Sequence, residues 1–179
     1  MSATHTHVVP PSRWVTRWAR HAAPGSRVLD VACGGGRHAR YFAERGHPVD
    51  AVDRDAEAVG ALSGIDRVRG VLADIESGPW PFGSGIYGAV VVTNYLHRPL
   101  FPHLLAALEP GGVLIYETFS AGNERFGRPS NPAFLLQPGE LMDRVRPSLK
   151  VLGYEDIEVG DPRPAMIQRV CAVRLPVGD

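Results

Sequence analysis

Three carboxylates recur at comparable places in this sequence: Asp30 in Val28-Leu29-Asp30-Val31-Ala32-Cys33-Gly34-Gly35-Gly36, Asp53 in Val52-Asp53-Arg54, and Asp74 in Leu72-Ala73-Asp74-Ile75. Each follows or closes a short apolar run. An acid four residues before a glycine turn attracts a cation, such as the ammonium of an amino-acid moiety, and repels a pyrophosphate. Asp53, with Arg54 beside it, stands where a carboxylate can accept both hydrogen bonds of a ribose diol. Asp74 can accept from an adenine amino group while Ile75 covers the ring face. Gly34 and Gly36 allow a sharp turn and close approach of a ligand, with Cys33 packed small beside them. Singly, each acid also suits a helix N-cap or a turn. In series they point to one ligand. Gly34-Gly35-Gly36-Arg37-His38-Ala39 also fits the loose dinucleotide fingerprint, so nicotinamide or flavin chemistry stays open on the glycines alone.

The elements that must position these acids alternate. Residues 12–21 place Trp14, Val15 and Trp18 on one helix face, with Ser12 available as N-cap and the tryptophans expected in the core. Residues 27–33 read as a strand leaving into the glycine turn, and 38–45 as a helix ended by Gly46. The pattern repeats as strand 48–52, helix 55–62, strand 67–72 and strand 87–93, the last a valine run suited to burial on both faces. A helix over 99–108, a turn at Pro110-Gly111-Gly112 and a strand over 113–119 follow. Residues 120–138 are too long for an ordinary connection and read as a lid. A short helix over 140–145 and strands over 149–159 and 165–175, joined through Gly160-Asp161-Pro162, complete the chain as an antiparallel pair.

Composition narrows the class. At 179 residues, 44% hydrophobic and 21% charged, the chain is expected to form a single domain over 1–179 around one core. Nineteen basic residues balance nineteen acidic ones, so neither nucleic acid nor a membrane surface is an expected partner and a small molecule is. Cys33 and Cys171 lack both disulfide-framework and metal-ligand spacing; no metal is expected, and reduced cytoplasm suits them. Residues 1–7, with His5 and His7, read as a polar tail without the order of a secretory signal. Oligomeric state is not encoded in any pattern found.

The ordered series Val28 to Gly36, Asp53, Ala73-Asp74-Ile75 and Leu108-Glu109-Pro110-Gly111-Gly112-Val113-Leu114 resembles the motif set of class I S-adenosylmethionine-dependent methyltransferases. Phe134-Leu135-Leu136, Gly139-Glu140-Leu141 and Val151-Leu152-Gly153-Tyr154-Glu155 resemble small bacterial enzymes related to the tellurite-resistance methyltransferase. The resemblance implies an α/β, Rossmann-like three-layer sandwich whose seven-stranded, mostly parallel sheet has the order 3-2-1-4-5-7-6, with strand 7 antiparallel. It also implies S-adenosylmethionine as cofactor and S-adenosylhomocysteine as product. Ala32 replaces the first loop glycine of many members, so that position is expected not to need a positive φ.

Methyl transfer from a sulfonium is an in-line displacement, catalysed largely by positioning and water exclusion. In the family's fold Asn94, Tyr95 and His97 follow the strand facing the methyl group. Tyr95 and His97 are the catalytic candidates, His97 as a base if the acceptor is an alcohol or thiol. Glu117 ends the next strand, where it can orient an acceptor or pair with a lid arginine. Arg125 and Arg128 lie in the lid and suit a planar or anionic acceptor. Two other functions compete: a nicotinamide-dependent oxidoreductase, resting on glycine spacing, and a non-catalytic S-adenosylmethionine-binding module, resting on the lack of an unambiguous base.

Overall fold

The computed structural model describes residues 9–176; the expected tail with His5 and His7 lies outside the described residues. Seven strands form one sheet: β1 (Val28–Val31), β2 (Val49–Asp53), β3 (Val68–Leu72), β4 (Tyr87–Thr93), β5 (Leu108–Phe119), β6 (Lys150–Val159) and β7 (Ala165–Val173). Their order is β3-β2-β1-β4-β5-β7-β6, with β7 antiparallel to both neighbours. This is the Rossmann-like order of the class I methyltransferase fold.

Alternation along the strands assigns the helices to layers. Val28, Val49, Ala51, Ala89, Val91 and Ile115 face a core shared with α1 (Arg13–Trp18) and α2 (Arg37–Ala43), through Trp14, Val15, Ala39 and Phe42. Leu29, Val31, Val90, Val92 and Leu114 point the other way, onto α4 (Phe101–Ala107) and α5 (Glu140–Val145). The valines of β4 are fully enclosed because helices cover both faces. A further helix, α3 (Ala56–Gly60), is capped by Asp55, whose side chain accepts from the Glu57 and Ala58 amides. Ser12 caps α1 as expected, accepting from the Trp14 and Val15 amides.

Strand β5 begins earlier than the pattern predicts. Tyr87 pairs with Leu108 and Ala89 with Val113, so Pro110-Gly111-Gly112 forms an excursion within the strand and not a turn before it. Gly111, at φ 83°, turns its amide to the Arg174 carbonyl at 2.7 Å, and the Arg174 guanidinium donates to the Leu108 carbonyl at 2.6 Å. A partner 66 residues away, from the end of β7, thus keeps the excursion in the sheet.

The expected lid is a packed segment containing two short 3-10 turns, Asn123–Arg125 and Pro132–Phe134. Buried Asn123 donates to the Pro129 carbonyl at 3.0 Å and accepts from the Met166 amide at 3.2 Å, while Ser120 bridges to Leu136. Among the described residues no helix is long and apolar enough to cross a membrane.

Candidate cofactor and acceptor site

The carboxyl ends of β1 to β5 open onto one cavity of about 400 Å³. β1 contributes Ala32, β2 contributes Val52, Asp53 and Arg54, and the turn after β3 contributes Ala73 to Glu76. Asn94, Tyr95 and Leu96 follow β4; Thr118 and Phe119 end β5; Pro129 and Phe134 come from the segment 120–138. The cavity straddles the break between β1 and β4, where successive connections run in opposite directions and open sheets bind ligands.

Six expected residues come together there: Asp53, Arg54, Asp74, Ile75, Asn94 and Tyr95. Asp53 is partly committed, since its two oxygens accept from the Gly34 amide at 2.8 Å and the Asp55 amide at 3.0 Å. Each oxygen keeps a second acceptor direction for a ligand hydroxyl. Asp74 accepts from the Glu76 and Ser77 amides and the Ser77 hydroxyl. Those bonds, the Ser77 hydroxyl first, hold its carboxyl below the usual carboxylate range. Ile75 is buried against the same wall.

The glycine loop carries the acids' geometry. Gly34 has φ 50°, and a side chain added there would meet open space, but neither Gly34 nor Gly36, both expected in the site, lines the cavity. Gly36 has φ 73°, a conformation that disfavours a side chain, and a Cβ there would lie 2.3 Å from a terminal methyl of Leu62, which would have to shift. Ala32 corrects the sequence expectation: it has φ 52°, in the left-handed region, so the alanine occupies the conformation that the family's glycine would adopt freely. Asn94, at φ 54°, is left-handed as well, with its amide donating to the Glu117 carbonyl at 2.9 Å.

Asp30 sits beneath the loop and does not line the cavity. Helix α2 starts at Gly36, which has no side chain to cap it, and Asp30 reaches from β1 to accept from the Ala39 amide at 2.9 Å. Burial raises its carboxyl to about 8, against the lowering effect of that bond and of Arg37. Cys33 is likewise buried outside the cavity; burial, with the charges of Asp30 and Asp53, pushes its thiol far above the usual range, which disfavours the thiolate.

The acceptor-side candidates divide. Tyr95 donates its hydroxyl to Glu76 at 3.0 Å, and burial together with Glu76 raises its pKa, which favours the protonated, donating form. His97 lies outside the lining, its Nδ1 3.9 Å from Glu76. Glu117 does not line the cavity: it takes the Ser12 hydroxyl at 2.7 Å and Arg169 at 3.2 Å, so its arginine partner comes from β7 and not from residues 120–138. Arg125 pairs with Glu158 at 3.3 Å, and Arg128 leaves only its neighbour Pro129 in the wall. Glu76, Leu96, Thr118, Phe119, Pro129 and Phe134 were not assigned to the site from the sequence. Glu76 lies two residues beyond Asp74 in the same turn, Leu96 between Tyr95 and His97, Thr118 beside Glu117, and Pro129 and Phe134 within the expected lid, so each had a local signal that was not followed to the residue.

Comparison with known proteins agrees with this geometry. Residues 28–112 match a family described as a methyltransferase domain. Phthiotriol/phenolphthiotriol dimycocerosates methyltransferase 1 of Mycobacterium ulcerans is 32% identical over 113 residues, covering 56% of this chain and 40% of its own length. The chain spans less than half the length of the first curated relatives it matches, 46% and 40%. TehB from Haemophilus influenzae superposes with TM-score 0.76 at 18% identity, over 97% of this chain and 64% of its own. The 1,6-didemethyltoxoflavin-N1-methyltransferase of Burkholderia thailandensis, solved with bound 1,6-didemethyltoxoflavin and S-adenosylhomocysteine, superposes with TM-score 0.65 at 21% identity, over 91% of this chain and 76% of its own.

Proposed function

We propose, for a chain whose residues 28–112 match a methyltransferase-domain family, transfer of a methyl group from S-adenosylmethionine to a small-molecule acceptor. The observation that carries the reading is the single cavity joining Asp53, Asp74 and Ile75 at one end to Thr118, Phe119 and segment 120–138 at the other. Its volume of about 400 Å³ lies within the range of small-ligand sites. The residues fit the cofactor: Asp53 keeps acceptor capacity for a ribose diol, and Asp74 with Ile75 offers an acceptor beside an apolar face. When bound, S-adenosylmethionine supplies an electrophilic methyl carbon.

The chain's own part is to hold and enclose. Asp30 acts as a positioning residue, fixing the start of α2 under the loop. Tyr95 keeps its proton and spans to Glu76 across the cavity wall. With His97 off the lining, the acceptor that suits this site is nucleophilic without a protein base, ionised or bearing a free lone pair at working pH. Segment 120–138 serves as the acceptor-side cover of a single domain. The balanced charge supports a small molecule over nucleic acid, and the free cysteines suit the cytoplasm.

Calorimetric titration with S-adenosylmethionine and S-adenosylhomocysteine tests the reading. Saturable binding is expected, weakened by about 1–3 kcal/mol in Asp53→Ala if charged hydrogen bonds to the ribose are lost. Absence of binding at millimolar ligand, or saturation by NADH instead, overturns it. Methyl transfer to any compound of a metabolite screen excludes the binding-module alternative.

A further inference from the structure

Phe134 lines the cavity yet is 53% exposed, although the next two residues, Leu135 and Leu136, are buried. Its exposure does not come from a loose backbone. Arg98 donates to the Ala133 carbonyl at 2.8 Å and to the Leu135 carbonyl at 2.9 Å, the carbonyls of the residues on either side of Phe134. Arg98 is held in turn by both oxygens of Glu140 at 2.7 and 2.9 Å, and the Asn131 side chain accepts from the Ala133 amide at 3.0 Å. A large aromatic side chain on a backbone fixed from both sides has already lost much of the freedom that binding would cost, which marks a preorganised contact. Phe119 lines the same cavity from the end of β5, with the Arg163 guanidinium 5.8 Å from its ring centroid.

The charge around the cavity selects among acceptors. Asp53, Asp74 and Glu76 line it, and Arg54 is the one cation among its described lining residues. Those charges belong to the cofactor end, whereas the acceptor end, lined by Thr118, Phe119, Pro129 and Phe134, offers no charged lining side chain to hold an inorganic oxyanion, and aromatic faces are negative. We propose that the acceptor is a planar aromatic molecule without a negative charge, bound against Phe134 and Phe119. Flat rings gain on such faces through offset or edge contacts that a saturated ring of equal size forms poorly. This inference rests on the methyltransferase reading, because it assigns the remaining part of the cavity to the cofactor.

The test is a fluorescence titration of 2-naphthol into protein saturated with S-adenosylhomocysteine, saturation being established for each variant by its own calorimetric titration. Binding should saturate, weaken about tenfold or more in Phe134→Ala, and be retained within about threefold in Phe134→Tyr. Decahydro-2-naphthol should compete at least about fivefold more weakly than 2-naphthol, since only the flat ring stacks. Equal competition, an unchanged affinity in Phe134→Ala, or no saturation despite S-adenosylhomocysteine binding overturns the aromatic acceptor and leaves methyl transfer standing. Failure of S-adenosylhomocysteine itself to bind removes both.

Discussion

At the scale of single residues, the strand-end acids differ in what surrounds them. Asp30 is 2% exposed and accepts one backbone bond, and its carboxyl is raised to about 8, mainly by burial. An acid whose folded pKa lies above its ordinary value of 3.8 binds its proton more tightly when folded. Its stabilising effect is therefore complete below about pH 4 and is lost as pH rises towards 8. Asp30→Asn keeps an oxygen for the Ala39 amide and removes the titration. Thermal melts at pH 5 and pH 8 should show wild type losing more stability across that interval than the variant. An equal loss in both proteins would show that Asp30 is already charged in the native state. The acids were legible because strand ends and glycine turns are local patterns. The partners of Glu117 and Arg125 were not, since Arg169 and Glu158 lie 52 and 33 residues away along the chain. Ala32 was misread because a departure from glycine was taken to change the backbone, whereas the loop keeps its left-handed turn at φ 52° and carries the methyl group there.

At the scale of elements, hydrophobic period and turn chemistry locate nearly every strand and helix. β4 and α5 have the predicted limits, because each is a clean apolar pattern between breakers. β5 starts early because its Pro-Gly-Gly excursion is retained by Arg174, a tertiary contact invisible to local pattern. Segment 120–138 is the larger case: its polar, Gly- and Pro-containing sequence predicts a loop but not that Arg98 and Glu140 fix it. Glu140 takes Arg98, Arg144 and the Gln137 amide, and these bonds, Arg98 first, lower its carboxyl to about 2. Arg98→Met preserves much of the side-chain stem and deletes the bonds to Ala133, Leu135 and Glu140. A stability loss of about 1–3 kcal/mol is expected from the lost charged hydrogen bonds. Amide hydrogen exchange should accelerate within 131–137 while β1 and β4 stay protected. Uniform acceleration, or none within 131–137, would show that Arg98 does not anchor this turn.

At the scale of the whole molecule, the two hydrophobic layers are not separable units, because β1, β4 and β5 send alternate side chains into both. The cavity draws its walls from the same strands, from Ala32 through Phe119, and from segment 120–138 beyond them. A ligand bound there contacts groups that exist together only in the complete fold, so its binding energy should add to global stability. Heating should give one cooperative transition, shifted upward by S-adenosylhomocysteine. At about 100 times its dissociation constant, the ligand stabilises by about 2.7 kcal/mol. For a chain of this length each kcal/mol moves the midpoint by roughly 2–4 °C, so a rise of about 5–11 °C is expected in differential scanning calorimetry. The shift should shrink at equal ligand concentration in Asp53→Ala in proportion to its weakened affinity. A second transition insensitive to ligand would show that part of the sheet, with the helices on it, unfolds independently of the cavity, and the chain would then be two cooperative units and not the single domain proposed.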